Sequence, residues 1–131
     1  MPGKATAVDS GRSLRDQVVD IGRRLGLDVR TEVKVGRRLW GSVRKIDIVL
    51  THRETHLSLG IECKYQETPG TAEEKIPATI QDIKAWPIRG LVVFAGKGFS
   101  EHMRSFLHST GMAVEFEDLE AWLRLFFGIA N

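Results

Sequence analysis

The sequence predicts an α/β fold, a mixed central sheet flanked by helices, and three observations lead there. An amphipathic stretch at helical spacing precedes three strand-like segments. A continuous apolar run, GLVVFAG at Gly90 to Gly96, has the composition of a strand buried on both faces. Segments of helical period then alternate with strands to the C-terminus, which favours layers of helix packed on a sheet.

The elements follow in order. Ser13 to Leu25 reads as the first helix, with Leu14, Val18, Ile21 and Leu25 on one stripe and Gly26 as its stop. Val29 to Val35 alternates Val29, Thr31, Val33 and Val35 with charged residues, the period-two pattern of a half-buried strand. Lys45 to Leu50 and Leu57 to Lys64 are two more strands. Thr71 to Lys84 has helical composition, with Thr71 and Glu74 spaced as a capping box and Pro77 able to delay the start or kink it. The central strand Gly90 to Gly96 comes next, then a helix from about Ser100 to Ser109 and a last strand at Met112 to Phe116. Leu119 to Phe127 closes the chain as a helix more apolar than a surface helix needs to be, so it is either core or a subunit contact.

At 131 residues the chain is expected to be a single domain over 1–131, with residues 1–12 flexible. Hydrophobic residues make up 42% and charged residues 27%, and no segment has the apolar length to cross a bilayer, so no membrane partner is expected. The start MPGKATAVDSGRS lacks the apolar run of a secretory signal and the lone cysteine cannot form an internal disulfide; cytoplasmic residence is the expectation. The net charge of +2 conceals an asymmetry. Residues 1–60 hold 12 Lys/Arg against 7 Asp/Glu, and the rest holds 7 against 10. Arg30, Lys34, Arg37, Arg38, Arg44, Lys45 and Arg53 crowd one stretch, a pattern that suits a phosphate backbone and equally a solvated strand face.

The chemistry concentrates in RKIDIVLTHRETHLSLGIECKY. If this hairpin is symmetric about a turn near Glu54 and Thr55, then Asp47 lies opposite Glu62, Ile46 opposite Cys63, Ile48 opposite Ile61 and Leu50 opposite Leu59. One face is then wholly apolar, and the other holds Lys45, Asp47, Glu62 and Lys64. A slip of one residue would mix the two sets, so burial favours this pairing. Opposed carboxylates about 5 Å apart at Cβ repel. A divalent cation relieves that repulsion, because Mg²⁺ is held by one or two carboxylates together with waters and phosphate oxygens. Lys64, two residues from Glu62 on one strand, shares its face and sets an ammonium beside the ion. The competing reading is a wet hairpin whose lysines merely neutralise its acids.

In Ile46-Asp47 and Glu62-Cys63-Lys64 the sequence resembles the PD-(D/E)xK nuclease superfamily, of restriction-endonuclease-like fold. IECKYQETPGTAEEKI is also similar to a subgroup in which the lysine is followed by Tyr-Gln, a Gly-Thr turn and a lysine-bearing helix. The resemblance spans roughly residues 13–96. It implies the αβββαβ core of that fold, with the last helices and strand as C-terminal additions. It further implies that Asp47, Glu62 and the backbone carbonyl of Cys63 ligate Mg²⁺, with Mn²⁺ as a substitute, and that Lys64 positions or deprotonates the attacking water. Gln66 and Lys75, with Lys45, Arg44, Arg37 and Arg38 of the basic stretch, are the supporting or DNA-contacting candidates. The activity implied is Mg²⁺-dependent endonucleolytic hydrolysis of DNA leaving a 5′-phosphate. The small size and the apolar C-terminal helix around Trp122, Phe126 and Phe127 add the expectation of a homodimer, so that two sites address two strands, with a specificity-providing protein as a further candidate partner. Ile46 stands where proline often precedes the aspartate. The first helix lacks the glutamate that many members use; Asp16 and Asp20 are the nearest acids, but helical spacing points both away from the apolar stripe.

Other features carry less. GLVVFAGKG lacks phosphate-loop spacing and has no Ser or Thr after Lys97. His52, His56, His102 and His108 have no zinc-site spacing and are expected at the surface, Cys63 in the core, and Trp40, Trp86 and Trp122 in core or interface packing. Two rival readings stay open: a domain that binds DNA without cutting it, and a structural protein whose hairpin charges are simply solvated.

Overall fold

A computed structural model of the chain describes residues 8–37, 41, 43–69 and 75–130. The first helix, α1 (Gly11–Arg24), begins earlier than the apolar stripe alone indicates, because Ser10 caps it: the Ser10 Oγ accepts the Ser13 N–H at 3.0 Å. Leu14, Val18, Ile21 and Gly22 are its buried side. Three strands follow: β1 (Asp28–Arg37), β2 (Val43–Thr51) and β3 (Ser58–Tyr65), each antiparallel to the next. The β2–β3 turn is closed by His52, whose Nδ1 accepts the N–H groups of Glu54 and Thr55 at 3.2 Å. Helix α2 (Ile76–Lys84) has Pro77 in its first turn and begins well after Thr71; the Thr71–Glu74 capping box lies outside the described residues, as do Arg38 and Trp40. Strand β4 (Arg89–Ala95), helix α3 (Glu101–Ser109), the short strand β5 (Ala113–Glu115), a 3-10 turn at Phe116–Asp118 and helix α4 (Leu119–Phe127) complete the chain.

The five-stranded sheet runs β1-β2-β3-β4-β5 in space, with β3–β4 and β4–β5 parallel, so β3 joins an antiparallel half to a parallel half. The expectation of a mixed sheet flanked by helices holds. Helices α1 and α4 cover one face, packing Leu14, Val18, Leu119, Leu123 and Phe127 on Ile48, Leu59, Ile61, Leu91 and Val93. Helices α2 and α3 cover the other, packing Ile76, Ile80, Ile83 and Leu107 on Val49, Val92 and Phe94. The apolar excess of α4 is thereby largely core, although Leu125 stays 86% exposed. Trp86 lies over two glycines: a Cβ on Gly60 would sit 2.8 Å from its ring, and one on Gly90 3.0 Å. No helix among the described residues is long and apolar enough to cross a membrane.

Candidate active site

The hairpin pairs in the register its sequence predicts, from Thr51↔Ser58 through Leu50↔Leu59 and Val49↔Gly60 to Ile48↔Ile61. There the ladder stops, and Asp47 and Glu62 are not a hydrogen-bonded cross-strand pair. Instead the Asp47 carboxylate turns into the gap and its Oδ2 accepts the Cys63 N–H at 3.1 Å. β3 meanwhile stays in register with β4, Glu62 beside Val92 and Lys64 beside Phe94.

The opening of the ladder also moves Ile46. Strict alternation places it with Ile48 and Leu50, but it is buried in the opposite core with Val49 and α2. Its neighbour in β1 shows the same change of face: Val33, paired with Ile46, packs on the α2 side, whereas Val29, paired with Leu50, packs on the α1 side. Between them Glu32 has a φ of 53°, in the left-handed region that a non-glycine residue occupies at a cost of about 1 kcal/mol or more. Both strands are thus irregular at the level of Asp47.

Glu62 and Lys64 lie on the α2 side of β3, Nζ to Oε2 3.6 Å. Burial, and after it the charge of Asp47, raise the Glu62 carboxyl from an ordinary 4.5 to about 7, with Lys64 pulling the other way. Burial likewise drives the Cys63 thiol far up, which fits a small core residue.

Gln66, just past β3, is buried at 6% exposure. Its Nε2 donates to the Gly98 carbonyl at 2.8 Å, its backbone carbonyl accepts the Gly98 N–H at 2.8 Å, and its own N–H reaches the Ala95 carbonyl. Its Oε1 is buried and meets no hydrogen-bond partner among the described residues. Gly96, at φ +107°, lies so near that a Cβ would be 2.2 Å from the Gln66 carbonyl oxygen. Gln66 thus ties the end of β3 to the β4–α3 loop.

The basic candidates diverge. Arg44 is held by Asp82 of α2, Nε to Oδ1 2.9 Å, with both side chains one-fifth exposed. Arg37 is exposed and donates to the Gly41 carbonyl, while Lys45 and Lys75 are exposed, the latter at the start of α2. Asp16 and Asp20 of α1 are exposed, in keeping with their helical phase. The residue α1 does bring to the site is Arg15. Its Nη1 lies 3.4 Å from Glu32 Oε2 and 3.8 Å from Asp47 Oδ1. Sequence reasoning passed over both Arg15 and Glu32; the available signal was that Arg15 adjoins Leu14 on the edge of the buried stripe.

Among the described residues no group of three or more His, Cys, Asp or Glu is placed to hold a metal ion. Two carboxylates beside a lysine nevertheless fit Mg²⁺, which fills its remaining positions with water and phosphate oxygens.

The family described as the PD-(D/E)XK nuclease superfamily domain matches residues 6–121. This chain belongs to that superfamily. No curated protein matches it. Among solved structures it is similar to a protein of unknown function, AF1548, with a TM-score of 0.52 and 19% identity over 78% of this chain and 56% of that one. It is also similar to a repair endonuclease from Pyrococcus abyssi, with a TM-score of 0.46 and 10% identity over 83% of this chain and 47% of the other. The chain thus spans about half the length of each. The first likeness speaks for the fold, which is restriction-endonuclease-like with α3, β5 and α4 added after the αβββαβ core.

Proposed function

We propose that the chain is a Mg²⁺-dependent endonuclease that hydrolyses DNA phosphodiester bonds and leaves 5′-phosphate and 3′-hydroxyl ends. What supports this reading is the Asp47 carboxylate turned onto the N–H of Cys63, the residue next to Glu62, with the Lys64 Nζ 3.6 Å from Glu62, where the β2–β3 ladder ends. Asp47, Glu62 and the Cys63 carbonyl are the proposed ion ligands. A bound divalent ion would supply charge neutralisation at the scissile phosphate and a more acidic water. Asp47 is oriented for that task by the Cys63 N–H, and Glu62 is fixed by the register of β3 on β4. Lys64, 3.6 Å from Glu62, holds the attacking water and takes or orders its proton. Lys75, Lys45 and Arg37 offer exposed charge to the backbone of the substrate, whereas Arg44 acts mainly through Asp82. A homodimer would let two such sites address the two strands. A protein partner that supplies sequence specificity is part of the same reading.

The test is cleavage of supercoiled plasmid and branched DNA with Mg²⁺, Mn²⁺ or chelator, beside Glu62→Ala and Lys64→Ala proteins. Metal-dependent cutting should fall by on the order of 10²-fold or more in each variant. Salt-sensitive DNA binding without cutting, unchanged by either substitution, would make the chain a binding module instead.

A further inference from the structure

We infer that Arg15 is a resident counter-ion for Asp47, a positioning residue that holds the site's charge in balance before a divalent ion enters and is relieved by it. The inference rests on the proposed metal-dependent site and adds to it a residue from α1.

Three observations support it. The Arg15 Nη1 is shared between two carboxylates, 3.4 Å from Glu32 and 3.8 Å from Asp47, and both distances are long for a charge-assisted hydrogen bond. A bidentate arginine lock would be near 2.8 Å and expensive to open, whereas this contact is mainly electrostatic and yields easily. Asp47 moreover does not need Arg15 for its orientation, because its Oδ2 is anchored by the Cys63 N–H, and Oδ1 is the oxygen that faces the guanidinium. Finally, Lys64 is engaged with Glu62 at 3.6 Å, which leaves Arg15 as the cation that Asp47 and Glu32 share among the described residues. The irregular backbone at Glu32 brings its carboxylate to α1, where it gives the guanidinium somewhere to rest when Asp47 is claimed by an ion.

Arg15 therefore has opposite effects on the empty and the loaded protein. In the empty site it offsets carboxylate repulsion. Once a divalent ion lies against Asp47, a guanidinium nearby repels it, so removing Arg15 should tighten ion binding by roughly threefold to tenfold at moderate salt.

The experiment is a Mn²⁺ titration, followed by the loss of its free EPR signal, together with thermal unfolding in chelator and in saturating Mg²⁺, on the wild-type chain and on Arg15→Gln and Arg15→Lys. Expected are a lower Tm for Arg15→Gln in chelator, a larger Mg²⁺-induced rise in Tm than in the wild type, tighter Mn²⁺ binding, and near wild-type behaviour for Arg15→Lys, which keeps the charge. A Tm lowered equally with and without Mg²⁺, at unchanged Mn²⁺ affinity, would make Arg15 a merely structural residue and overturn the inference. Weakened DNA binding at unchanged Mn²⁺ affinity would do the same, by assigning Arg15 to the substrate. Absence of Mn²⁺ binding in the wild type as well would overturn the metal site itself, a different failure with a different signature.

Discussion

Glu62 carries a proton over a pH range in which an unfolded glutamate has lost it, since its carboxyl is raised from 4.5 to about 7. The sign of the effect on stability follows. Between those two values the folded chain binds the extra proton, so stability is present at the acid end and lost as pH rises toward 7 and beyond. With the side chain 22% exposed, the loss is on the order of 2–3 kcal/mol at most. In chelator, the Tm of the wild type should therefore fall between pH 5.5 and 8 relative to that of Glu62→Gln, which has no such proton to lose. Parallel pH profiles of the two proteins would show that Glu62 is not held in a desolvated, acid-facing place. Saturating Mg²⁺ should flatten the difference, because an ion favours the ionised carboxylate.

At the scale of elements, the connection between the end of β3 and the β4–α3 loop is the tightest part of the site. Gly98 admits no side chain without contact, a Cβ there lying 2.5 Å from the Thr68 carbonyl oxygen and 2.6 Å from the Gln66 Cγ. Gly98→Ala should lower stability by roughly 1–3 kcal/mol, and measured unfolding in urea should show it as a lower midpoint at an unchanged slope. An unchanged midpoint would mean that the loop yields freely. This lock illustrates what a sequence conceals. The hairpin register was legible because both strands alternate and burial punishes a slip, as Ile48, Leu50, Leu59 and Ile61 show. The same alternation marks Asp47, Glu62 and Lys64 as polar positions beside that apolar set. The face of Ile46 was not, because it depends on a ladder that opens where Asp47 takes a backbone N–H. Nor was the partner of Gln66, which depends on a loop meeting a strand end across the sheet, with only two glycines to mark the approach. Arg15 was not legible because its partner Asp47 lies on another element, far along the chain.

Across the whole molecule, the two cores divide the labour. Leu59 is fully buried in the α1–α4 core, so Leu59→Ala should cost about 2–5 kcal/mol in chemical unfolding. For the proposed homodimer, Leu125, exposed on α4, and the half-buried stacked rings of Trp122 and Phe126, 5.2 Å apart, are the candidate contact. Light scattering at micromolar protein should give twice the 14.7 kDa chain mass, and the chain mass itself would remove the homodimer.

The seam at β3 has a further bearing, on time. Its pairing with β2 is local, a turn away, and ends just short of Asp47 and Glu62. The stretch that holds Glu62 and Lys64 is instead registered by β4, which arrives only after a loop, a helix and another loop have been made. Parallel pairing at that separation is slow compared with closing a hairpin. A chain emerging from the ribosome, or refolding from denaturant, would thus assemble its two acids and lysine among its last acts. The proposed activity would then wait until the chain is whole.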